Sequence, residues 1–127
     1  MYRPKYEKEY RCPLEKGIAV FAGKWKPRII CLLSHYEKLR YAEVKRRMPN
    51  LTDAVLSSAL NELINEEIVT RYQYNEVPLR VEYSLSDKGS SLVKILQEIC
   101  QWSRQYCYTE PLDLLDHCKD CEYYDMS

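Results

Sequence analysis

Residues 41–85, YAEVKRRMPN LTDAVLSSAL NELINEEIVT RYQYNEVPLR VEYSL, change periodicity once, and that change decides the fold. The first part, residues 41–48, predicts a short helix with Ala42 and Val44 facing in and Lys45, Arg46 and Arg47 facing out, stopped by Pro49 and Asn50. Thr52 then stands where an N-cap belongs, and the negative charge of Asp53 suits the positive end of a helix dipole. With Leu56 at zero and about 100° per residue, Leu60 and Leu63 fall within about 40° of it and Ala59 lies nearby. Ala54, Ser58, Asn61 and Asn65 gather at the opposite pole, so one face packs and the other looks outward. Beyond Glu67 the period drops to two: Val69, Arg71 and Gln73 alternate with Thr70 and Tyr72, and Val81, Tyr83 and Leu85 alternate with Glu82 and Ser84. Residues 74–80 join the two strands as a loop of about seven residues interrupted by Pro78, longer than a tight hairpin needs and therefore a candidate functional element.

Upstream, residues 14–22 read as a helix with Leu14, Ile18, Ala19 and Phe21 apolar, Pro13 in its first turn and Gly23 ending it. Pro27 opens a second helix carrying Ile29, Ile30, Leu32 and Leu33, and a polar turn follows at residues 34–38. Downstream, Ser86 is an N-cap for a long helix from Asp87 to about Cys107, with Leu92, Ile95, Leu96, Ile99, Trp102 and Tyr106 spaced three and four apart. At 1.5 Å per residue it runs roughly 30 Å, more than so small a body covers. Either a second copy of the chain covers its distal half or a monomer leaves that end exposed. Two short helices joined by a tight turn, the second with a polar outer face, then a hairpin with a long loop, form the order of a winged helix-turn-helix. The fold class expected is mainly α with a small β-hairpin (α+β).

Composition agrees. The chain has 127 residues, 46% hydrophobic and 30% charged, with 3 Gly and 6 Pro, which is globular rather than disordered or low-complexity usage. Residues 1–107 are expected to form one domain and residues 108–127 an acidic, cysteine-containing tail. The balance of 19 basic and 19 acidic residues hides a segregation. From residue 108 onward Lys119 is the one base against Glu110, Asp113, Asp116, Asp120, Glu122 and Asp125, leaving 18 bases and 13 acids in the first 107 residues. A basic body with an acidic tail suits an anion-binding module, although a solvated charged surface would look the same. No stretch approaches the roughly 18 to 20 apolar residues of a membrane helix, and the first eleven residues are polar, so a cytoplasmic protein without a membrane partner is expected.

The segments Cys12-Pro13-Leu14-Glu15, Gly23-Lys24-Trp25-Lys26-Pro27, Leu39-Arg40-Tyr41-Ala42-Glu43-Val44 and the run Glu76-Val77-Pro78-Leu79-Arg80-Val81-Glu82-Tyr83-Ser84-Leu85-Ser86-Asp87-Lys88-Gly89 resemble the HxlR-type transcriptional regulators, a winged-helix family related to the MarR regulators. The resemblance covers about residues 12–106. It implies a homodimer that binds a partly palindromic operator in double-stranded DNA, with the N- and C-terminal helices forming the dimer interface.

A recognition helix presents its N-terminal outward residues to base edges, which assigns Thr52, Asp53, Ala54, Ser57, Ser58 and Asn61 to DNA binding. Arg40, Lys45, Arg46 and Arg47, with Arg80 in the wing, can reach phosphates and supply affinity rather than sequence information. The alternative for Arg80 is a strand-end salt bridge with Glu76 or Glu82, and for residues 45–47 an ordinary solvated helix face. One departure from the family pattern stands out. Its recognition helices open with Thr or Ser followed by Gln and Lys and continue with further Gln and Arg, whereas this chain has Asp53, Ala54, Ser58, Ala59 and Asn61 there. No Lys or Arg occurs from Asp53 to Glu67, while Asp53, Glu62, Glu66 and Glu67 are acidic. Asp53 would be repelled by phosphate unless it caps a helix or accepts from a cytosine amino group. Either the operator is unusual, or affinity rests on the wing and the basic cluster, or DNA binding is weak.

The six cysteines are Cys12, Cys31, Cys100, Cys107, Cys118 and Cys121, and without a secretory signal they read as thiols, redox sensors or ligands rather than structural disulfides. The resemblance implies a redox or electrophile sensor at Cys12 paired with a C-terminal cysteine of the other subunit, for which Cys107 is the candidate. Cys100 shares a stripe with Val93 and Leu96 and is expected to be a buried helix cysteine. The tail run His117-Cys118-Lys119-Asp120-Cys121 holds a C-x-x-C that is half a zinc site, a redox pair or an exposed pair of incidental thiols; the second C-x-x-C of a closed site is missing. No metal or other cofactor is expected, and no small-molecule effector can be read from the pattern. There is no Gly-rich phosphate loop and no H-E-x-x-H, and His35 and His117 are the two histidines, which argues against an enzyme. The alternative from another class is a dimeric winged-helix protein-interaction or redox adaptor with little sequence-specific DNA binding; a thiol-disulfide module built on Cys118 and Cys121 lacks the βαβ context.

Overall fold

The structure is a computed structural model that describes residues 12–107 and Cys118. Its elements are α1 (Pro13–Phe21), α2 (Lys26–His35), α3 (Tyr41–Arg47), α4 (Asp53–Asn65), β1 (Val69–Tyr74), β2 (Arg80–Leu85) and α5 (Asp87–Tyr106). The expected tail lies outside the described residues apart from Cys118.

The core forms where the apolar stripes converge. Ile29, Ile30, Leu32 and Leu33 of α2 meet Val44 of α3, Leu56, Leu60 and Leu63 of α4, Ile68 and Val69 at the start of the hairpin, and Leu92 and Leu96 of α5. Full burial of such side chains is worth about 1.5–3 kcal/mol each, so this cluster drives the fold. The turn from α3 to α4 is punctuated as the sequence requires: Asn50 adopts a positive φ of 67°, a conformation asparagine tolerates, and Thr52 Oγ1 accepts from Val55 N at 3.2 Å. At the start of α3, Glu43 accepts from the backbone N–H of Arg40 at 3.0 Å. An arginine has no acceptor with which to complete a capping box, so only this half exists.

The hairpin is antiparallel, with Val69 opposite Leu85 and Tyr74 opposite Arg80. Leu39 adds a bridge to Tyr83, with Leu39 N donating to Tyr83 O at 3.0 Å and Tyr83 N to Leu39 O at 2.8 Å. The motif Ser86-Asp87-Lys88-Gly89 fastens α5 to the turn after α4. Ser86 Oγ donates to Glu67 O at 2.5 Å and accepts from Gly89 N at 3.0 Å, and Lys88 Nζ donates to Glu66 O at 2.7 Å. Gly89 packs so closely that a Cβ there would collide with the Ile68 carbonyl oxygen.

Four expectations need correction. Ala42 is exposed: it lies about 200° from Val44 at 100° per residue, so both cannot face the core. The loop between the strands is five residues, 75–79, because Tyr74 and Arg80 still pair. Ser34 and His35 belong to α2 rather than to the following turn. Cys100 is exposed, because α5 has run past the core after Leu96. Apolar residues also lie open on the two outer helices: Leu14 is 69% and Trp102 60% exposed, and Ile18, Ile95, Ile99 and Tyr106 accompany them. No described helix is long and apolar enough to cross a membrane.

Candidate nucleic-acid interface

Helix α4 buries Leu56, Ala59, Leu60 and Leu63 and leaves Thr52, Asp53, Ala54, Ser57, Ser58 and Asn61 exposed. All six residues expected to face bases therefore lie on its open side. The acid at its start is not isolated. Asp53 Oδ1 accepts from Lys45 Nζ at 2.7 Å and from the Tyr41 hydroxyl at 3.0 Å, and that hydroxyl lies 3.3 Å from Ser57 Oγ. The Lys45 ammonium first, and the Tyr41 hydroxyl second, hold the Asp53 carboxyl below the ordinary carboxylate value. The pair is exposed, with the Lys45 and Asp53 side chains 40% and 68% accessible, so it orients the groups more than it stabilises the chain. Tyr41 thus links α3 to the first turn of α4, a role that periodicity could not show because it depends on how two helices pack.

The cations expected at phosphates are dispersed. Arg40 and Arg46 are exposed, Lys45 is shared with Asp53, and the Arg47 guanidinium stacks 4.6 Å from the Tyr36 ring centroid. Arg80 is tied into the wing: its Nη2 is 3.1 Å from Glu76 Oε1, its Nε 3.7 Å from Glu82 Oε1, and its guanidinium 3.8 Å from the Tyr74 ring centroid. Both carboxylates foreseen as alternatives to DNA therefore hold it in the free chain. The hydroxyl of the same tyrosine accepts from Lys38 Nζ at 3.4 Å, and this contact is the leading cause that raises the lysine pKa. Val77 and Leu79 are exposed at the wing tip. Among the described residues no group of three His, Cys, Asp or Glu could hold a metal ion; His117 and Cys121 lie outside them.

The family model of the HxlR-like helix-turn-helix matches residues 20–111, which span α2 to α5 and hence the helix-turn-helix and the wing. The chain belongs to the HxlR-like helix-turn-helix family. An HTH-type transcriptional regulator of Methanothermobacter thermautotrophicus, itself uncharacterized, is 41% identical over 98 residues, 77% of this chain and 74% of its own length. The crystal structure of YtcD, named an HTH-type transcriptional regulator, superposes with a TM-score of 0.71 at 40% identity, covering 76% of this chain and 97% of that one. The redox regulator HypR in its oxidized form gives a TM-score of 0.70 at 33% identity, covering 80% of this chain and all of HypR. The winged helix-turn-helix order read from the sequence is therefore the family's fold, and the HxlR-like chain is a DNA-binding transcriptional regulator.

Proposed function

We propose that this HxlR-like regulator binds an operator in double-stranded DNA as a homodimer, reading bases with α4 and touching phosphates with α3 and the wing. The observation that carries the reading is the division of α4 into a buried apolar face and an open polar face that runs from Thr52 to Asn61. An α-helix fits the major groove, and hydroxyl, amide and carboxylate groups distinguish base edges there. Thr52, Asp53, Ala54, Ser57, Ser58 and Asn61 are the base-facing set; Arg40, Lys45, Arg46, Arg47 and Arg80 are the phosphate set, with Arg80 exchanging Glu76 for a phosphate. The open apolar residues of α1 and of distal α5 support dimerisation, because large apolar side chains grouped on a helix face in this number suit the cover of a partner. Residues 1–107 then act as one DNA-binding and dimerising domain, with 108–127 as its tail. The function is binding rather than catalysis, and it is exercised on cytoplasmic DNA.

The dimer is also thiol-responsive in this reading. Cys12 at the N-cap of α1 and Cys107 at the C-cap of α5 are exposed, unbridged thiols at the ends of the two helices assigned to the dimer. The similarity to HypR supports the role. A peroxide takes two electrons and the two thiol protons from Cys12 of one protomer and Cys107 of the other, leaving one disulfide and reduced peroxide.

The test is an anisotropy titration of the reduced chain against a duplex from upstream of its own gene and a scrambled duplex, repeated after peroxide and paired with non-reducing gels. Preference for the upstream duplex, changed by oxidation together with a linked dimer, supports both parts. Equal weak binding to both duplexes rejects the operator-binding reading and favours the interaction adaptor. Sequence preference without a linked dimer rejects only the thiol switch.

A further inference from the structure

Helix α4 has two edges, and they are not equally furnished. Counting from Asp53 at about 100° per residue, Ser57 falls near 40°, Asn61 near 80°, Ala54 near 100°, Ser58 near 140° and Glu62 near 180°. The Asp53 and Ser57 edge faces α3, whose Tyr41 and Lys45 touch it. At the Ser58 and Glu62 edge, α4 forms the wall of an open cleft of about 310 Å³. The turn between α1 and α2, with Gly23, Lys24, Trp25 and Lys26, forms the other wall. Gly23, at a φ of 122° that side chains rarely adopt, lets the chain make this turn just past the end of α1.

This turn carries the cations that α4 lacks. Lys24, Lys26 and Arg28 occur in a stretch, residues 17–36, without a single acid. Their surroundings separate their roles. Lys26 is 17% exposed and its Nζ lies 3.5 Å from Glu62 Oε2, so it ties the turn to α4. Lys24 is exposed, and its Nζ lies 4.8 Å from the Trp25 ring centroid, while the Arg28 guanidinium lies 5.1 Å from the same ring. Trp25 is half-buried against the core and so offers both cations a fixed support. Among the described residues no carboxylate forms an ion pair with Lys24, and an ammonium over an indole face keeps donors available for an anion.

The major groove is about 12 Å wide and a helix with its side chains about 10–12 Å across, so a helix docked there brings each of its edges against a wall of phosphates. We propose that Lys24 binds a DNA phosphate at the edge of α4 opposite Lys45, so that each wall of the groove meets one lysine. The proposal rests on the DNA-binding reading above and extends it to a residue outside the helix-turn-helix. It also resolves how a recognition helix without a single cation is held in an anionic groove: the cations come from the elements on either side.

The test compares the full-length reduced chain with Lys24→Gln, Lys24→Arg and, on α5, Lys94→Gln, titrated against the upstream and scrambled duplexes over a salt series. Lys24→Gln is expected to weaken both duplexes by the same factor and to reduce the slope of log affinity against log salt by about 0.9 for each phosphate no longer neutralised, hence about 1.8 per dimer. Lys24→Arg is expected to retain the wild-type slope. A Lys24→Gln slope equal to that of wild type and of Lys94→Gln overturns the proposal while leaving the DNA-binding reading intact. Failure of the wild-type chain to bind either duplex overturns that reading and the Lys24 proposal with it. Because Lys24 is exposed, unchanged thermal melting of the variant confirms that the readout is binding.

Discussion

The helix-turn-helix body and the two outer helices use apolar residues in opposite ways. From α2 through Leu96 of α5, the Ile, Leu and Val side chains of the helical stripes close on each other within one chain. On α1 and the distal half of α5, large apolar residues at spacings of three and four stay open, and the Trp102 ring lies 5.6 Å from that of its own helix neighbour Tyr106. Periodicity reports which face of a helix is apolar; it does not report whether the cover comes from the same chain. The first region is a finished core, and the second is an open apolar surface that the proposed dimer would cover.

The sharpest way to break the finished region is at Gly89. In an exposed helix Gly→Ala stabilises by up to about 1 kcal/mol. Here the added Cβ meets a backbone oxygen that cannot rotate away, and overpacking of this kind costs about 1–3 kcal/mol or more. The collision wins, so Gly89→Ala is expected to lower stability by about 2 kcal/mol in denaturant unfolding. A neutral or stabilising result would show that the joint between α5 and the turn after α4 is looser than its hydrogen bonds indicate.

The matching substitution in the open region is Trp102→Ala. A buried interface tryptophan contributes about 2 kcal/mol or more to association, so the dimer dissociation constant is expected to rise by roughly thirtyfold or more in sedimentation. The signature differs from that of Gly89→Ala, which should lower the melting temperature at every protein concentration while leaving the dimer dissociation constant unchanged. A Trp102→Ala chain that remains dimeric at nanomolar concentration would place the interface elsewhere.

A third, smaller perturbation tests the turn that presents α4. Thr52→Ala removes the acceptor for Val55 N and is expected to cost about 1 kcal/mol in denaturant unfolding. That effect is legible in the sequence, because a threonine immediately before an apolar stripe states its own role. The same holds for Ser86 and for the buried set Leu56, Leu60 and Leu63, where the function of each residue depends on its own chain neighbours. What the sequence hides depends on distant elements. Ala42 reads as inward only under an alternation that belongs to strands. Cys100 reads as core because a stripe continues after the core has ended. Lys24 and Tyr41 stand in the sequence only as members of motifs, since their positions beside α4 exist only once three elements have packed.

The least disruptive substitution separates the two edges of α4 most cleanly. Asp53→Asn keeps an acceptor for Lys45 and Tyr41 but removes the charge, and because both partners are exposed the melting temperature at neutral pH should barely move. The sign of the pH dependence follows from the depressed carboxyl: whatever the pair contributes is present above the unfolded value of about 3.9 and is lost as pH falls through the lower folded value. Wild type and Asp53→Asn should therefore diverge, slightly, at pH values above about 4 and converge in acid. Binding should respond in the other direction. Without the carboxylate, Lys45 is released toward phosphate and a repulsive charge leaves the groove, so affinity for a scrambled duplex should rise while the preference for the upstream duplex falls. An unchanged scrambled-duplex affinity would mean that the first turn of α4 does not approach DNA, leaving the Lys24 edge to hold the phosphates.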